Sequence, residues 1–394
     1  MAERTVVLGV TGSIAAYKAV DLASKLTQAG ITVQTVMTES ATKLVGPASF
    51  RAITGQPVST DLFELTNPYA IEHVSLADAA DLMVVAPATA NVIAKMASGI
   101  ADDLLTCTVL ATRAPILIAP AMHTAMWESA ATQANVETLR SRGVAFIGPD
   151  EGRLASGGFG AGRFAPVPEI LGTIHRILGR VGDLAGRRIV ITAGGTREPI
   201  DPVRFVGNRS SGKMGVALAE AARDRGADVH LIAASTTAPS PSGVKIIDAP
   251  TANDMLDAVR SAVTEADILV MAAAVADYAP ASTAPRKLKK EESECVLHLA
   301  RTADILTSVE GPRVRIGFAA ETEDLIENAR KKLESKRLDL IVANPIGEDE
   351  SPFGANTNRA VLIGPSAEEE LPLLTKRALA DRILDRVVGL LGPA

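Results

Sequence analysis

The sequence predicts an α/β fold made of two doubly wound parallel-sheet domains. Its 394 residues suggest two or three domains at about 150 residues each. Hydrophobic residues make up 47% of the chain but aromatic residues only 3%, so the core has to be built from aliphatic side chains. Such a core is typical of parallel strands that are buried on both faces. Short β-branched runs alternate with helix-length amphipathic segments, which indicates repeated βαβ units.

Five β-branched runs mark the expected strands of the first half. They lie at 6–10, 31–37, 81–86, 115–119 and 144–148. Helical segments separate them, and right-handed crossovers between such units predict an open parallel sheet with helices on both faces. Ligands of these sheets bind at the carboxyl ends of the strands.

A second cycle of strands follows a helix expected over 169–180 and a short linker that contains glycine. Its strands are expected at 189–193, 229–233, 268–275, 315–319, 338–343 and 360–364, before a final helix at 373–391. We therefore expect a boundary near Val181, with one domain over 1–180 and the other over 187–394. The halves share an architecture but no residue-level repeat, which favours two fused domains over a duplicated one.

Charge and cysteine content narrow the class of protein. A formal net charge of −6 gives no general attraction to nucleic acid or to an anionic membrane, which favours small-molecule ligands. The two cysteines are too few for a disulfide framework and fit a reducing cytoplasm, and the five histidines are scattered. No apolar run approaches the roughly 18 residues of a membrane span, and the first one is too short for a signal peptide. These features predict a cytoplasmic protein.

Two segments of the first half follow strands and begin helices. In 9–18 (GVTGSIAAYK), Gly12 permits a tight turn and Ser13 can cap a helix whose amino end would bind a phosphate. The three spaced glycines of the dinucleotide fingerprint are absent, which favours a mononucleotide. A simple turn and cap is an equal alternative for this segment alone. The segment 87–91 (PATAN) has the same two interpretations, a binding site or a cap made by Thr89.

Two further segments combine unusual residue types. The segment 120–127 (PAMHTAMW) crowds two Met residues and the only Trp after a buried strand, as either a binding site or a packed core would. The segment 154–163 (LASGGFGAGR) has small residues around a lone Phe, a composition that predicts neither helix nor strand. We expect a flap that closes over a ligand, with a flexible surface loop as the alternative.

In this order the four segments resemble the flavin-dependent cysteine decarboxylases, specifically the decarboxylase half of the bifunctional phosphopantothenoylcysteine decarboxylase/phosphopantothenate–cysteine ligases. The resemblance covers about the first 175 residues. It implies that FMN oxidises the cysteine moiety of the substrate to a thioaldehyde, which then loses CO2. The FMN positions of the family fall on Gly12, Ser13, Thr38, Thr89, Ala90 and Asn91.

The resemblance also implies three catalytic positions. The catalytic His of the family falls on His73, although a single His in an apolar stretch is otherwise more often a packed residue. His123 stands where the family has an Asn that binds the substrate carboxylate, and a His can still donate that hydrogen bond. Ser156 stands where the family has a Cys that protonates the enethiolate intermediate. Because a hydroxyl is a much weaker acid than a thiol, the final reductive step loses its usual proton donor.

Clusters of cations follow strands in the second half. The loop 208–213 (NRSSGK) would begin a helix with hydroxyls, a glycine and cations, which is an anion-binding arrangement without the spacing of a Walker A loop. Asp277 ends a strand shortly before 286–290 (RKLKK), a combination that fits a triphosphate and its metal. A solvated helix start and a basic surface loop are the respective alternatives.

This half resembles the phosphopantothenate–cysteine ligases along its length. The matching segments are 208–215 (NRSSGKMG), 274–278 (AVADY), 287–290 (KLKK), 317–322 (GFAAET) and 338–344 (LDLIVAN). The resemblance implies that 4′-phosphopantothenate attacks the α-phosphate of CTP, with Mg2+ at Asp277, and that L-cysteine then displaces CMP from the acyl-cytidylate. Lys287 would stabilise charge in the first step, and Asn208 would serve the second.

The CTP positions of the ligase family fall on Met271, Ala272, Ala273, Asp277, Lys287, Thr302, Ala303, Asp304, Ile305, Phe318, Lys332 and Lys336. Thr302 and Ala303 replace a common Asn-Pro pair of that family. Lys332 and Lys336 lie four residues apart on a predicted helix, hence on one face, for which a solvated surface is the alternative interpretation.

The leading hypothesis is a bifunctional enzyme that makes phosphopantothenoylcysteine and decarboxylates it to 4′-phosphopantetheine. An alternative keeps the ligase and makes the N-terminal half a flavin-binding oligomerisation module, because of His123 and Ser156. A third hypothesis, a nicotinamide-dependent oxidoreductase, is disfavoured by the missing dinucleotide fingerprint. The resemblance further implies a homo-oligomer with trimeric flavin domains and dimeric ligase domains.

Overall fold

The computed structural model describes residues 4–63, 71–155, 157–289, 296–321, 323–345 and 354–392. The chain forms two compact units, Met1–Leu178 and Gly179–Ala394. Each unit has an α/β architecture in which hydrophobic clusters cover both faces of a central sheet, so the predicted fold class is confirmed. Of the described helices, none is both long and apolar enough to cross a membrane.

The first unit alternates strands and helices along most of its length. Its strands are β1 (Thr5–Val10), β2 (Thr32–Met37), β3 (Val58–Ser59), β4 (Leu82–Ala88), β5 (Ile116–Pro120), β6 (Ala145–Phe146), β7 (Asp150–Arg153) and β8 (Phe159–Arg163). Its helices are α1 (Ala16–Gln28), α2 (Glu39–Thr42), α3 (Pro47–Thr54), α4 (Glu72–Ala79), α5 (Ala90–Ser98), α6 (Leu104–Ala111), α7 (Thr124–Trp127), α8 (Ala130–Ser141) and α9 (Val167–Gly179).

Strands β1 to β6 form one parallel sheet in the order β3-β2-β1-β4-β5-β6. One face packs against α1, α3 and α9, and the other against α4, α5, α6 and α8. The chain winds outward from β1 in one direction and from β4 in the other, so a crevice opens where the two directions diverge. The turns that follow β1 and β4 lie at this point, and they contain Gly12 and Thr89.

The prediction that 154–163 forms neither helix nor strand is wrong for its second half. That part is strand β8, which pairs antiparallel with β7. A Cβ at Gly162 would lie 2.3 Å from the carbonyl oxygen of Met122, and one at Gly160 would lie 2.6 Å from Oγ1 of Thr124. Because both positions are glycine, the β7–β8 ribbon can lie directly on the turn that precedes α7.

The second unit has more strands than predicted. They are β9 (Arg188–Ala193), β10 (Arg197–Pro199), β11 (Phe205–Gly207), β12 (Asp228–Ala233), β13 (Lys245–Asp248), β14 (Ile268–Met271), β15 (Tyr278–Pro280), β16 (Leu299–Arg301), β17 (Val314–Glu321), β18 (Leu340–Pro345), β19 (Thr357–Ile363) and β20 (Glu368–Thr375). The helices are α10 (Lys213–Asp224), α11 (Ala252–Val263), α12 (Ile305–Ser308), α13 (Leu325–Ser335) and α14 (Lys376–Leu391).

The main sheet of this unit is mixed rather than wholly parallel. Its order is β13-β12-β9-β14-β17-β18-β19-β20, and the first six strands of that order are parallel, as predicted. Strand β19 runs antiparallel to β18, and β20 antiparallel to β19, so the parallel prediction is wrong at this edge. The final helix begins at Lys376 rather than at 373, because the residues before it pair with β19.

Strand β14 ends at Met271, four residues earlier than predicted. Beyond that point side-chain hydroxyls supplement the backbone pairing, in which the N–H of Ala274 donates to the carbonyl of Gly194 at 2.8 Å. Oγ1 of Thr192 accepts the N–H of Ala273 at 3.0 Å, and Oγ1 of Thr196 accepts the N–H of Ala276 at 2.9 Å. Both threonine side chains are buried, and they hold the segment that follows β14 at the carboxyl ends of the strands.

Two short antiparallel ribbons, β10–β11 and β15–β16, follow β9 and β14 in the chain and contact each other. Neither ribbon was among the predicted strands. Strands of three residues are too short to leave a periodic pattern in the sequence.

Candidate active sites of the two units

A cavity of about 660 Å3 opens beside the crevice of the first unit. Four segments that are distant in sequence form its wall: the turn after β1, the start of α5, the turn before α7 and the β7–β8 ribbon. Its lining includes Gly12, Ser13, Thr89, Met122, His123 and Arg163. All four segments that carried the resemblance to the flavin-dependent decarboxylases therefore meet at one site.

Buried hydrogen bonds join the two turns on the floor of this cavity. Oγ1 of Thr11 donates to the carbonyl of Pro87 at 2.7 Å and accepts the N–H of Thr89 at 3.0 Å. The turn also needs its glycine, because a Cβ at Gly12 would lie 2.5 Å from Cβ of Ser40. Gly12 is thus required for close packing against Ser40, and the two hydrogen-bonded turns form a fixed backbone surface at the cavity.

The other predicted FMN positions lie around this floor. Ser13 does not occupy the N-cap position of α1, which begins at Ala16; its hydroxyl donates to the carbonyl of Ala121 at 3.1 Å. Thr89 caps α5 by accepting the N–H of Val92. Thr38 caps α2 and donates its own N–H to the end of β1, while Ala90 and Asn91 form the first turn of α5; these three are not among the residues that line the cavity.

His123 lies in the cavity wall and caps α7. Its Nδ1 accepts the N–H of Ala125 at 3.3 Å. An accepting Nδ1 carries no proton, so the neutral ring has its proton on Nε2 and can donate from there. The side chains of Lys18, Arg153 and Arg163 line the same cavity and make it suitable for an anionic ligand. The motif analysis did not single out these three cations, although all of them lie in or next to its segments.

His73 is not among the residues that line this cavity. It is the second residue of α4, where its half-buried side chain has a buried Nδ1 without a hydrogen-bond partner in the described part of the chain. Ser156 lies outside the described residues. Trp127 packs against the hydrophobic cluster that contains α5 and α8 and does not line the cavity, whereas Met122 of the same motif does both.

A second cavity, of about 480 Å3, lies in the other unit beside the carboxyl ends of β14 and β17. Ten of the twelve positions that the resemblance assigns to CTP line it. They are Met271, Ala273, Asp277, Thr302, Ala303, Asp304, Ile305, Phe318, Lys332 and Lys336. Arg301 and Tyr278 also line it, and sequence reasoning missed both although they adjoin the recognised segments.

Short contacts hold the two lysines in the wall of this cavity. Nζ of Lys332 donates to the carbonyl of Phe318 at 2.7 Å, and Nζ of Lys336 lies 2.9 Å from Oδ2 of Asp304. Lys332 is in the last turn of α13, and Lys336 directly follows that helix as its C-cap. The cavity therefore has two fixed ammonium groups on one side.

The segment that follows β14 forms the opposite side of the same cavity. Thr302 ties this side together, because its Oγ1 donates to the carbonyl of Ala276 at 2.6 Å and its N–H to the carbonyl of Asp277 at 3.0 Å. The Asp277 side chain is exposed at the cavity. Within the described residues no group of three or more His, Cys, Asp or Glu side chains is arranged to hold a metal ion.

Three predicted ligase positions lie outside the cavity lining. Asn208 is adjacent, since its Nδ2 donates at 3.0 Å to the carbonyl of Val275, which does line the cavity. Lys287 is exposed on the segment that follows β15, and Ala272 is half-buried beside β14. The helix of the predicted anion-binding loop begins at Lys213, whose Nζ donates to two groups of the segment 354–356.

Two family models match the chain. The one described as "Flavoprotein" matches residues 1–179, and the one described as "DNA/pantothenate metabolism flavoprotein C-terminal domain" matches residues 184–390.

Curated relatives match nearly the whole chain. The Coenzyme A biosynthesis bifunctional protein CoaBC of Mycobacterium tuberculosis (strain ATCC 25618 / H37Rv) is 46% identical over 98% of this chain and 97% of that protein. The protein of the same name from Bacillus subtilis (strain 168) is 45% identical, with the same coverage of 98% and 97%. The crystal structure of the C-terminal domain of Coenzyme A biosynthesis bifunctional protein CoaBC is 40% identical and covers 53% of this chain and 98% of that chain, with a TM-score of 0.46.

Proposed function

The chain belongs to the family of coenzyme A biosynthesis bifunctional proteins, and on this premise we propose that it catalyses two consecutive reactions. In the first, CTP drives the condensation of 4′-phosphopantothenate with L-cysteine. In the second, the product is decarboxylated to 4′-phosphopantetheine with FMN as cofactor. We assign the decarboxylase to residues 1–180 and the ligase to residues 187–394.

The observation that carries the ligase assignment is the lining of the second cavity, where ten of the twelve expected CTP positions meet. The side chains of Lys332 and Lys336 both line this cavity, and their positive charge suits the phosphate oxygens of a nucleotide. The exposed carboxylate of Asp277 fits Mg2+, which proteins commonly hold through one or two carboxylates together with substrate phosphates.

The ligase reaction at this site consists of two substitution steps, the first at phosphorus and the second at the acyl carbon. A carboxylate oxygen of 4′-phosphopantothenate attacks the α-phosphorus of CTP, and the bond to pyrophosphate breaks. The amine of L-cysteine then attacks the acyl carbon, loses a proton and displaces CMP, which leaves the amide. Lys287 stabilises the negative charge that develops in the first step. Asn208, tied to the cavity wall through Val275, orients the acyl group in the second.

The first cavity supports the assignment of FMN. Its volume of about 660 Å3 is in the range of cofactor pockets, two hydrogen-bonded turns form its floor, and its cations suit a phosphate. Gly12, Ser13 and Thr89 would hold the cofactor, with Thr38, Ala90 and Asn91 behind them. When bound, FMN supplies the electron acceptor for oxidation of the cysteine moiety. Nε2 of His123 donates a hydrogen bond to the substrate carboxylate until that group leaves as CO2.

We propose His73 as the base of this reaction, acting between copies of the flavin unit. Its Nδ1 has no hydrogen-bond partner among the described residues, and it does not line the cavity of its own chain. A homo-oligomer in which one copy supplies His73 to the cavity of another accounts for both facts. We therefore propose trimeric flavin units and dimeric ligase units, in a protein of the cytoplasm.

The position of His73 also favours a second candidate for the N-terminal half, a flavin-binding oligomerisation module without decarboxylase activity. In that case the ligase would be the only enzyme of the chain. The substitutions at His123 and Ser156 point the same way.

Release of CO2 from added phosphopantothenoylcysteine decides between the two candidates. We expect the purified chain to show the absorbance of bound FMN, to release CO2 and to form 4′-phosphopantetheine. His73→Asn, which retains the fold, should keep the absorbance and lose CO2 release by about 100-fold. Bound FMN with no CO2 release from the unaltered chain would establish the oligomerisation module instead. Accumulation of the enethiol would show that Ser156 ends the reaction before its reductive step.

A further inference from the structure

A buried carboxylate in the second unit has no part in either reaction as described so far. Asp201 lies between β10 and β11, and its side chain has 0% of its surface exposed. It does not line either cavity. A buried ionised group is costly unless it is fully paired, so its partners indicate what it holds in place.

The Asp201 carboxylate accepts hydrogen bonds from two separate segments of the chain. Oδ1 accepts the N–H groups of Val203 and Arg204, both at 2.8 Å. Oδ2 accepts Nε of Arg204 at 3.0 Å and the N–H of Leu288 at 3.1 Å. The Arg204 guanidinium in turn donates to the carbonyl of Leu288 at 2.6 Å. Both backbone polar groups of Leu288 are thus bound to the Asp201–Arg204 pair.

The same hairpin holds this segment at two more points. The N–H of Ala284 donates to the carbonyl of Ile200 at 2.9 Å, and Oγ1 of Thr283 donates to the carbonyl of Pro199 at 3.1 Å. The residues 283–288 are therefore fixed along the end of the β10–β11 hairpin. Lys287 lies inside this fixed stretch, directly before Leu288.

Asp201 is ionised at the pH of the cell. Burial raises the pKa of its carboxyl, but the N–H groups of Val203, Arg204 and Leu288 and the charge of Arg204 lower it, to about 2 from 3.8. An Asn at this position has nearly the same shape but cannot pair with the guanidinium. It would also present an NH2 group where the carboxylate accepts hydrogen bonds.

We infer that Asp201 is a positioning residue for the ligase reaction, which fixes the backbone of Leu288 and thereby holds the Lys287 ammonium where charge develops. This inference rests on the proposed function, in which Lys287 acts on the α-phosphate of CTP. A cation that stabilises developing charge has to be placed to within a fraction of an ångström. Even a small displacement of such a group lowers the reaction rate by a large factor.

The test compares Asp201→Asn with Asp267→Asn in the full chain. Asp267 is a matched control, because it accepts a backbone N–H from Arg188 at 2.9 Å and a guanidinium N–H from Arg187 at 3.3 Å, at the opposite edge of the sheet. We expect Asp201→Asn to lower kcat for CTP-dependent pyrophosphate release about 10-fold or more. KM for CTP should stay within about twofold, because the cavity lining is untouched. Asp267→Asn should change neither constant.

A double-mutant cycle separates positioning from general destabilisation. In a Lys287→Gln background we expect Asp201→Asn to change the residual rate by no more than about twofold, because the group that it positions is already gone. Equal losses of rate in the presence and absence of Lys287, or a raised KM with unchanged kcat, would overturn the inference.

A fallback variant and the activity of the unaltered chain complete the test. If Asp201→Asn does not fold, Leu288→Pro removes the tethered N–H while leaving the Asp201–Arg204 pair in place, and it should lower kcat by the same factor. If the unaltered chain released no pyrophosphate with CTP and 4′-phosphopantothenate, the proposed function itself would fail. Unchanged kcat in Asp201→Asn beside an active unaltered chain would refute only the role of Asp201.

Discussion

At the scale of single residues, two buried threonine hydroxyls bind the segment that forms one side of the second cavity. Oγ1 of Thr192 accepts the N–H of Ala273, and Oγ1 of Thr196 accepts the N–H of Ala276, in the segment that directly follows β14. The same segment contains Asp277, which lines the cavity. The sequence around these threonines is typical of a buried strand and the turn after it. Sequence alone therefore does not show which buried hydroxyls accept an N–H from another segment.

Replacing Thr196 with Val tests this hydroxyl. The change nearly conserves volume but leaves the buried N–H of Ala276 without its acceptor, which costs about 1–3 kcal/mol. We expect the urea transition of the second unit to move to lower concentration and the ligase rate to fall. Thr196→Ser keeps the hydroxyl and should retain most of both. Equal stability of the Val and Ser variants would contradict the role of the hydrogen bond.

Because the pKa of Asp201 is low, we expect the free energy of unfolding to depend on pH in the acidic range. A carboxyl whose pKa falls from 3.8 to about 2 on folding stabilises the native state above pH 3.8, and this contribution disappears as the pH falls toward 2. The unfolding free energy of the unaltered chain should therefore exceed that of Asp201→Asn near neutral pH. The difference should shrink between pH 4 and pH 2, as followed by denaturant titrations. A difference that stays constant through this interval would show that the charge of Asp201 is not what stabilises the hairpin.

At the scale of elements, the β7–β8 ribbon forms one wall of the first cavity through backbone contact. The N–H of Met122 donates to the carbonyl of Gly162 at 3.0 Å, and a Cβ at Gly162 would overlap the carbonyl oxygen of Met122. The glycines that suggested a flap in the sequence thus serve close approach of two backbones. Composition alone does not separate the two uses of glycine, since both require the absence of a side chain.

Gly162→Ala should weaken FMN binding by about 10-fold, because the new Cβ overlaps the Met122 carbonyl and has to push the ribbon away from the cavity. Titration of cofactor-free protein with FMN, followed by flavin fluorescence, measures the effect. Gly46→Ala is the control in the same unit, since a Cβ there meets nothing within 4 Å. If the Gly162 variant bound FMN as tightly as the control does, the ribbon would not contribute to the cofactor site.

Elements of the two main sheets differ in how far the sequence predicts them. Strands β1, β2, β9 and β12 are rich in β-branched and aliphatic residues, and their predicted positions agree with the structure to within one residue at each end. The ribbons of the second unit are three residues long, and β20 reads EEELPLLT, with charges and a Pro that hide its pairing. Motif positions were recognisable for the cavity linings. The hydrogen bonds that fix the backbone beside Lys287 were not recognisable in the sequence, because they join segments more than 80 residues apart.

At the scale of the whole molecule, one chain carries the two candidate sites in two separate units. Each cavity is lined by residues of its own unit, so the two activities should respond independently to substitution. In the proposed function the product of the ligase reaction is the substrate of the decarboxylase reaction, so one chain would carry two consecutive steps.

Two single substitutions should therefore separate the activities. We expect Lys287→Gln to lower CTP-dependent pyrophosphate release by about 100-fold while CO2 release from added phosphopantothenoylcysteine is unchanged. His73→Asn should show the reverse pattern. Loss of both activities in either variant would mean that the two sites are coupled.

The most direct test supplies the purified chain with CTP, 4′-phosphopantothenate, L-cysteine and Mg2+ and measures pyrophosphate and CO2 together. We expect both to form in equal amounts, with a lag in CO2 while phosphopantothenoylcysteine accumulates. Formation of pyrophosphate without CO2 would limit the enzyme to the ligase reaction. Absence of CTP-dependent pyrophosphate would contradict the assignment of the second cavity and with it the central claim.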